Sequence, residues 1–163
     1  MHGLTTGWSA HVLLKYPRHP RNPRFKSGML HEDVTKSIIG ASIEVLNDLR
    51  PGLDEKLYEN ALVIELRSRG HIVEQQREFS VHYRGHYIGK LVPDLLVDGK
   101  VIVDPKVVVA FNETHLAQML GYLNITCFSV ALLVSFKEAQ LKWKRVVSER
   151  KPDISGDGSI SLT

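Results

Sequence analysis

Between Glu32 and Leu49 the apolar residues Val34, Ile38, Ala41, Val45 and Leu49 recur three or four positions apart. That spacing gathers one apolar stripe along a helix, and Arg50-Pro51-Gly52 stops it. A second helix is predicted from just after Gly52 to about Arg69, ended by Gly70. Gly52 suits its N-cap, which puts Glu55 at the third helical position, where a carboxylate can reach back to the first amides. Leu57, Ala61, Leu62, Ile64 and Leu66 are assigned to its buried side.

From Ile72 the period shortens to two. Ile72 to Gln76 and Phe79 to Tyr83 read as strands, Arg84-Gly85 as a turn, and His86 to Val97 as one longer strand. Asp98-Gly99 marks a second hairpin, followed by a strand from Lys100 to Val109. Asn112 to Asn124 is predicted helical, with Leu116, Leu120 and Leu123 inward and His115, Gln118 and Tyr122 on a polar stripe. Phe128 to Phe136 is nearly all apolar and of strand length, as expected of a strand covered on both faces. Leu141 to Val147 adds a last strand. The order is helix, helix, a three-strand meander, helix, strand, which is an α/β sandwich around a mixed sheet.

Composition changes this picture little. The chain has 163 residues, 43% of them hydrophobic and 24% charged, as in an ordinary globular domain. Its apolar runs are too short to span a bilayer, so no membrane role is expected. The single cysteine, Cys127, excludes an internal disulfide and a four-thiolate metal site. It is expected to pack as a small hydrophobe, and a reducing, cytoplasmic location follows.

Charge is more informative once divided. The first 27 residues hold Lys15, Arg18, Arg21, Arg24 and Lys26 and no acid, whereas the whole chain carries 21 basic and 18 acidic residues. The positive balance therefore lies in the N-terminal arm, and the body is slightly acidic. Residues 1–28, with Pro17, Pro20 and Pro23, show no helical or strand period and read as a basic, disordered arm, either a solvated tail or a contact for phosphates. Residues 151–163 read as a flexible polar tail. The globular domain is placed at 29–150.

Candidate chemistry lies on the Asp98-Gly99 hairpin. Alternation puts Ile102, Asp104 and Lys106 on one face of their strand and Val101 and Val103 on the other. A two-residue loop would send Asp94 and Asp104 to opposite faces; a three-residue loop, with Gly99 left-handed, brings them to the same one. The sequence permits either. On one face, two carboxylates and a lysine would form a hard oxygen site for Mg²⁺ or Mn²⁺. The plainer alternative is an Asp–Lys pair at a strand end.

Pro93-Asp94 followed by Asp104-Pro105-Lys106 resembles the motif of the PD-(D/E)XK nuclease superfamily, and Gly52-Leu53-Asp54-Glu55-Lys56-Leu57-Tyr58 resembles that of the GxxExxY protein family within it. The likeness runs from about Leu30 to Val147. It implies a restriction-endonuclease-like αβββαβ core, a mixed sheet flanked by helices. It implies metal-dependent phosphodiester hydrolysis, with Mg²⁺ or Mn²⁺ as cofactor and nucleic acid, DNA more than RNA, as substrate. Asp94 and Asp104, with the Pro105 carbonyl, are then the metal ligands. Lys106 joins the two aspartates in catalysis, and Glu55 or Glu59 reaches the site from its helix. Gln118-Met119-Leu120-Gly121-Tyr122 looks like the Q-x-x-x-Y element of RecB-type relatives, so Gln118, Tyr122, His115 and Tyr58 become substrate contacts. Asp104 stands where most relatives carry Glu, and Pro105 removes a ladder N–H. Both departures favour the alternative of a degenerate nuclease fold that binds nucleic acid or protein without cleaving.

A chain lacking residues 1–28 is expected to keep the thermal midpoint of the full protein and to bind polyanions less tightly. Unfolding scans and a polyanion titration check this; a large loss of stability would show that the arm packs on the body.

Overall fold

The computed structural model describes residues 29–148, so the expectations for the basic arm and the polar tail lie outside the described residues. Two helices come first, α1 (Glu32–Leu49) and α2 (Glu55–Ser68). Strands β1 (Val73–Gln75), β2 (Phe79–Tyr83), β3 (His86–Leu91), β4 (Leu95–Val97) and β5 (Val101–Lys106) follow. Helix α3 (Glu113–Thr126) then crosses to β6 (Val130–Ser135), and β7 (Lys142–Val147) closes the order.

Five strands make one sheet in the order β1-β4-β5-β6-β7, with β5 and β6 parallel and the other neighbours antiparallel. The long α3 connection is what a parallel pair requires. Alternation divides the core in two. Leu95, Val97, Val101, Val103, Leu132 and Val134 pack with Ile38, Ala41, Val45, Tyr58, Leu62 and Leu66 of α1 and α2. Leu96, Ile102, Ala131, Leu133 and Val146 pack with Met119 and Leu123 of α3. Every residue of β6 is buried, as its unbroken apolar run predicts. The mixed sheet flanked by helices agrees with the restriction-endonuclease-like expectation.

The expected meander is divided instead. The long strand from His86 breaks at residues 92–94, so β3 pairs only with β2 in a separate two-stranded sheet, while β4 joins the main one. Pro93 lies at the break, where a residue without an N–H cannot carry a central ladder onward. Helix α2 is also phased differently. Its buried residues are Tyr58, Glu59, Leu62, Val63 and Leu66, while Leu57 and Ile64 are exposed, Ile64 at 71%. Leu49 is exposed as well, and α1 buries Thr35, Ser42 and Leu46 in addition to Ile38, Ala41 and Val45. Cys127 is exposed: it ends α3 in a left-handed conformation, φ 59°.

The N-cap of α2 is Asp54 rather than Gly52, and Glu55 is its first helical residue. Tyr58 explains the longer approach. Its hydroxyl donates to the Arg50 carbonyl at 2.5 Å and accepts the Leu53 N–H at 3.1 Å, clasping the loop between the helices. Within that loop Gly52 takes φ 118°, a conformation that favours glycine.

A second clasp fixes the β4–β5 turn. Asp98 accepts the Ile72 N–H at 2.9 Å and bonds His71 Nδ1 at 2.7 Å, and His71 Nε2 meets Ser37 Oγ at 2.7 Å. This chain ties α1 and the α2–β1 linker to the turn. Asp98 (φ 54°) and Gly99 (φ 60°) are both left-handed, which an aspartate tolerates better than most residues. Burial by itself would raise the Asp98 carboxyl, but the bonds from His71 and Ile72 outweigh it and hold the group below its ordinary value.

A carboxyl whose folded pKa lies below its unfolded one, about 3.9, stabilises the fold fully above that pH and loses the contribution as pH falls. Asp98→Asn, which keeps the turn but not the charge, should therefore melt below the wild type at neutral pH. The gap should close as pH drops below about 4. Thermal unfolding from pH 7 to pH 3 measures it, and a gap independent of pH would refute this account.

Candidate active site

The β4–β5 register decides where the carboxylates go. Leu95 pairs with Val103, Leu96 with Ile102 and Val97 with Val101, leaving residues 98–100 as a three-residue loop. Continuing the ladder sets Asp94 opposite Asp104. Both then lie on the face of Leu96 and Ile102, the face that α3 covers. Of the two registers open from sequence, this is the one that brings the aspartates together.

Asp104 is 2% exposed. Its Oδ1 meets the Lys106 ammonium at 2.9 Å, while its Oδ2 is buried without a hydrogen-bond partner. Burial first, and then the neighbouring Asp94 carboxyl, push Asp104 up to about 8, against the opposing pull of Lys106. Lys106 shows the same competition from the other side. Burial would lower it, but the carboxylates of Asp104, Glu55 and Asp94 together hold it above the ordinary lysine value. At Asp104 the Lys106 ammonium favours the carboxylate, and the dry, acidic surroundings disfavour it.

Pro105 is tolerated in a central strand for a visible reason. The Lys106 carbonyl accepts the Phe136 N–H at 2.9 Å, on the β6 side. Backbone groups alternate along a strand, so Pro105 turns its carbonyl, and its missing N–H, toward β4. That strand's last paired residue is Leu95, opposite Val103, so no ladder bond is asked of Pro105.

Helix α2 contributes two glutamates to the rim. Glu55 Oε2 accepts the Val107 N–H at 3.1 Å, which docks the start of α2 on the end of β5 beside Lys106. Glu59 is buried, and its Oε1 collects Lys56 Nζ at 2.7 Å, Gln75 Nε2 at 2.7 Å and Gln76 Nε2 at 3.3 Å. Gln76 Nε2 also donates to Asp94 Oδ1 at 3.1 Å, and the Gln76 N–H to the Asp94 carbonyl at 2.9 Å. Gln76 therefore joins Glu59 to Asp94. It does so from a left-handed backbone, φ 55°, uncommon for such a residue; conformations of this kind cost about 1–3 kcal/mol.

The α3 residues separate. Gln118 donates to the Tyr122 hydroxyl at 2.9 Å. The Tyr122 phenol is raised by burial first, with Asp104 and Asp94 adding to it, so this ring stands within the field of the carboxylates. His115 is engaged elsewhere. Its N–H donates to Asn112 Oδ1 at 3.0 Å and its Nδ1 accepts the Asn112 N–H at 3.2 Å, a reciprocal cap at the start of α3. Tyr58 is fully buried, its ring stacked on Phe136 at 4.7 Å and its hydroxyl satisfied by the loop. Tyr58 cannot touch a substrate from there, and its place in the motif is structural. The sequence reading missed Gln75 and Gln76, whose only cue was two adjacent amides at the end of a short strand.

Among the described residues no three His, Cys, Asp or Glu side chains form a ready ion cage. Two carboxylates and a carbonyl are a partial oxygen set, of the kind Mg²⁺ completes with water and substrate phosphate. Asp104 Oδ2, which no donor reaches, belongs to this set. No helix among the described residues is long and apolar enough to cross a membrane.

Comparison with known families agrees with this geometry: residues 32–146 match the model of the PD-(D/E)XK nuclease superfamily. No curated protein and no solved structure matches. The match covers well over half of the chain and includes each residue of the carboxylate–lysine group. The chain belongs to the PD-(D/E)XK nuclease superfamily.

Proposed function

We propose that this member of the PD-(D/E)XK nuclease superfamily hydrolyses phosphodiester bonds, with DNA as its substrate, in a reaction that needs Mg²⁺ or Mn²⁺. Nucleases of this superfamily generally use divalent metal ions and act on nucleic acids. The observation that carries the reading is Asp94 and Asp104 on one sheet face, with a buried Asp104 oxygen that no side-chain or backbone donor reaches. The GxxExxY likeness of residues 52–58 belongs to the same proposal.

Asp94, Asp104 and the Pro105 carbonyl would hold the ion. When bound, it would neutralise charge on the phosphate and make water a better nucleophile. The remaining work falls to side chains already in place. Lys106, held by Asp104 at 2.9 Å, presents an ammonium that stabilises negative charge building on the phosphoryl oxygens. Glu55, tied to the Val107 N–H, adds its charge to the carboxylates that hold Lys106 protonated. Gln118 and Tyr122, bonded to each other, form an amide–phenol pair on the α3 side that can orient a phosphate or a sugar. His115, committed to its cap, has no part in this.

A second reading is favoured by a specific feature: Asp104 already has Lys106 as its counter-ion, and the described residues hold no three-ligand cage. On that reading the domain binds nucleic acid or a protein without cutting.

Cleavage assays with DNA and RNA, run with Mg²⁺ or Mn²⁺ beside calorimetric metal titrations, decide between the two. Lys106→Ala should lower cleavage by about 100- to 1,000-fold, the usual cost of one electrostatic stabiliser, while metal binding persists. Asp94→Ala should weaken metal binding itself, because a carboxylate is a hard ligand and an ammonium is not. Unaltered cleavage by the Lys106 variant would assign activity to another site. A wild type that binds DNA but cuts nothing with either metal would establish the binding reading.

A further inference from the structure

We propose that Gln76 is a positioning residue for the cation site, holding the Asp94 carboxylate in place by bridging it to Glu59; this rests on the reading of Asp94 and Asp104 as the ion-holding pair. Gln76 immediately follows β1, with an exposed side chain and a left-handed backbone. Left-handed positions in turns usually go to Gly, Asn or Asp, which adopt the conformation at little cost. A glutamine gains nothing there by burial. What it gains is reach. Its backbone N–H donates to the Asp94 carbonyl at 2.9 Å, and its single amide nitrogen meets both Asp94 Oδ1 at 3.1 Å and Glu59 Oε1 at 3.3 Å.

The consequences are specific to Asp94. One backbone bond and one side-chain bond from the same residue fix both the position of Asp94 and the rotation of its carboxylate. The amide also stands between two acidic groups, donating to each, and so lets Glu59 and Asp94 approach without meeting directly. Glu59 is itself anchored, since Lys56 and Gln75 each hold its Oε1 at 2.7 Å. The bridge therefore references Asp94 to the buried side of α2, which the β4–β5 ladder alone does not do. Outer partners of metal ligands act in this way, and their loss typically weakens metal affinity about 10- to 100-fold.

Two substitutions separate positioning from simple structural support. Gln76→Asn retains a residue suited to the left-handed turn but is one methylene too short to span the two carboxylates. Gln76→Gly removes the amide and relieves the backbone. Neither should lower the thermal midpoint. Calorimetric titration of Mn²⁺ into the full chain should show weaker binding in both variants, by about 10- to 100-fold. Combining Gln76→Asn with Glu59→Gln should weaken binding no further than the worse single change, because the two act through one bridge. Variants that bind Mn²⁺ like the wild type would overturn the proposal and leave the Asp94–Asp104 reading standing. Affinity lost only in step with the thermal midpoint would assign Gln76 to the turn and overturn it too. A wild type that binds no Mn²⁺ would overturn both readings.

Discussion

The candidate site depends on the register of one short hairpin. Three paired positions join β4 to β5, and a slip of one residue would carry Asp94 through the sheet to the α1–α2 side. Hydrophobic patterning protects this register, because the same slip would turn Leu95 and Val97 out of one core and Leu96 out of the other. Three residues are a short ladder, however, and the turn adds the rest. Asp98 holds the turn from outside through Ile72, His71 and Ser37, at the opposite end of β5 from Lys106. The polar chain around His71 bears on Asp94 and Asp104 by fixing which residues face each other.

The segment from Gly52 to Tyr58 performs a related service from α2. Gly52 supplies the left-handed turn, Tyr58 closes the loop and stacks on Phe136 at the end of β6, and Glu55 docks on the Val107 N–H. Three residues of one motif thus tie the start of α2 to the ends of both parallel strands. Glu59, one turn on, lies at the right depth to receive Lys56, Gln75 and Gln76. A motif that looks like a row of functional groups is largely a docking device, and its one glutamate, Glu55, lies at the end of β5 beside Lys106.

Much of this was legible in the chain. The alternation of residues 101–106 gave the faces of β5, and the apolar run at 130–135 gave a strand buried on both sides. The pairing of Asp94 with Asp104 is open in the sequence between two turn lengths, because Gly99 suits either. Other features needed the third dimension. Apolar residues surround much of α2, so its phase cannot be read from spacing, and Leu57 and Ile64, expected inside, lie outside. Glu59 is expected, with Glu55, to reach the site from its helix, but its anchoring by Gln75 and Gln76 cannot be read from the helix alone. The left-handed turn at Gln76 carries no sequence mark at all. Pro93 was a readable signal, and the break between β3 and β4 shows that it outweighed the surrounding strand formers.

Burying a carboxylate beside another carboxylate is costly unless something offsets it. Here the offset is incomplete. Lys106 satisfies one oxygen of Asp104 and leaves the other bare, and the carboxyl is pushed up to about 8 despite an ammonium 2.9 Å away. A fold optimised only for stability would replace this pair with apolar residues of similar volume, which is often neutral or favourable. It would have room to do so, since β5 is otherwise Val101, Ile102, Val103 and Pro105. The chain instead keeps an acid-rich patch with one cation at its centre, at the end of β5 where Pro105 asks for no ladder bond. Stability is spent at the one place where strand ends, a partly open carbonyl and two aligned carboxylates converge. That shortage of positive charge is what the divalent ion proposed above would make good.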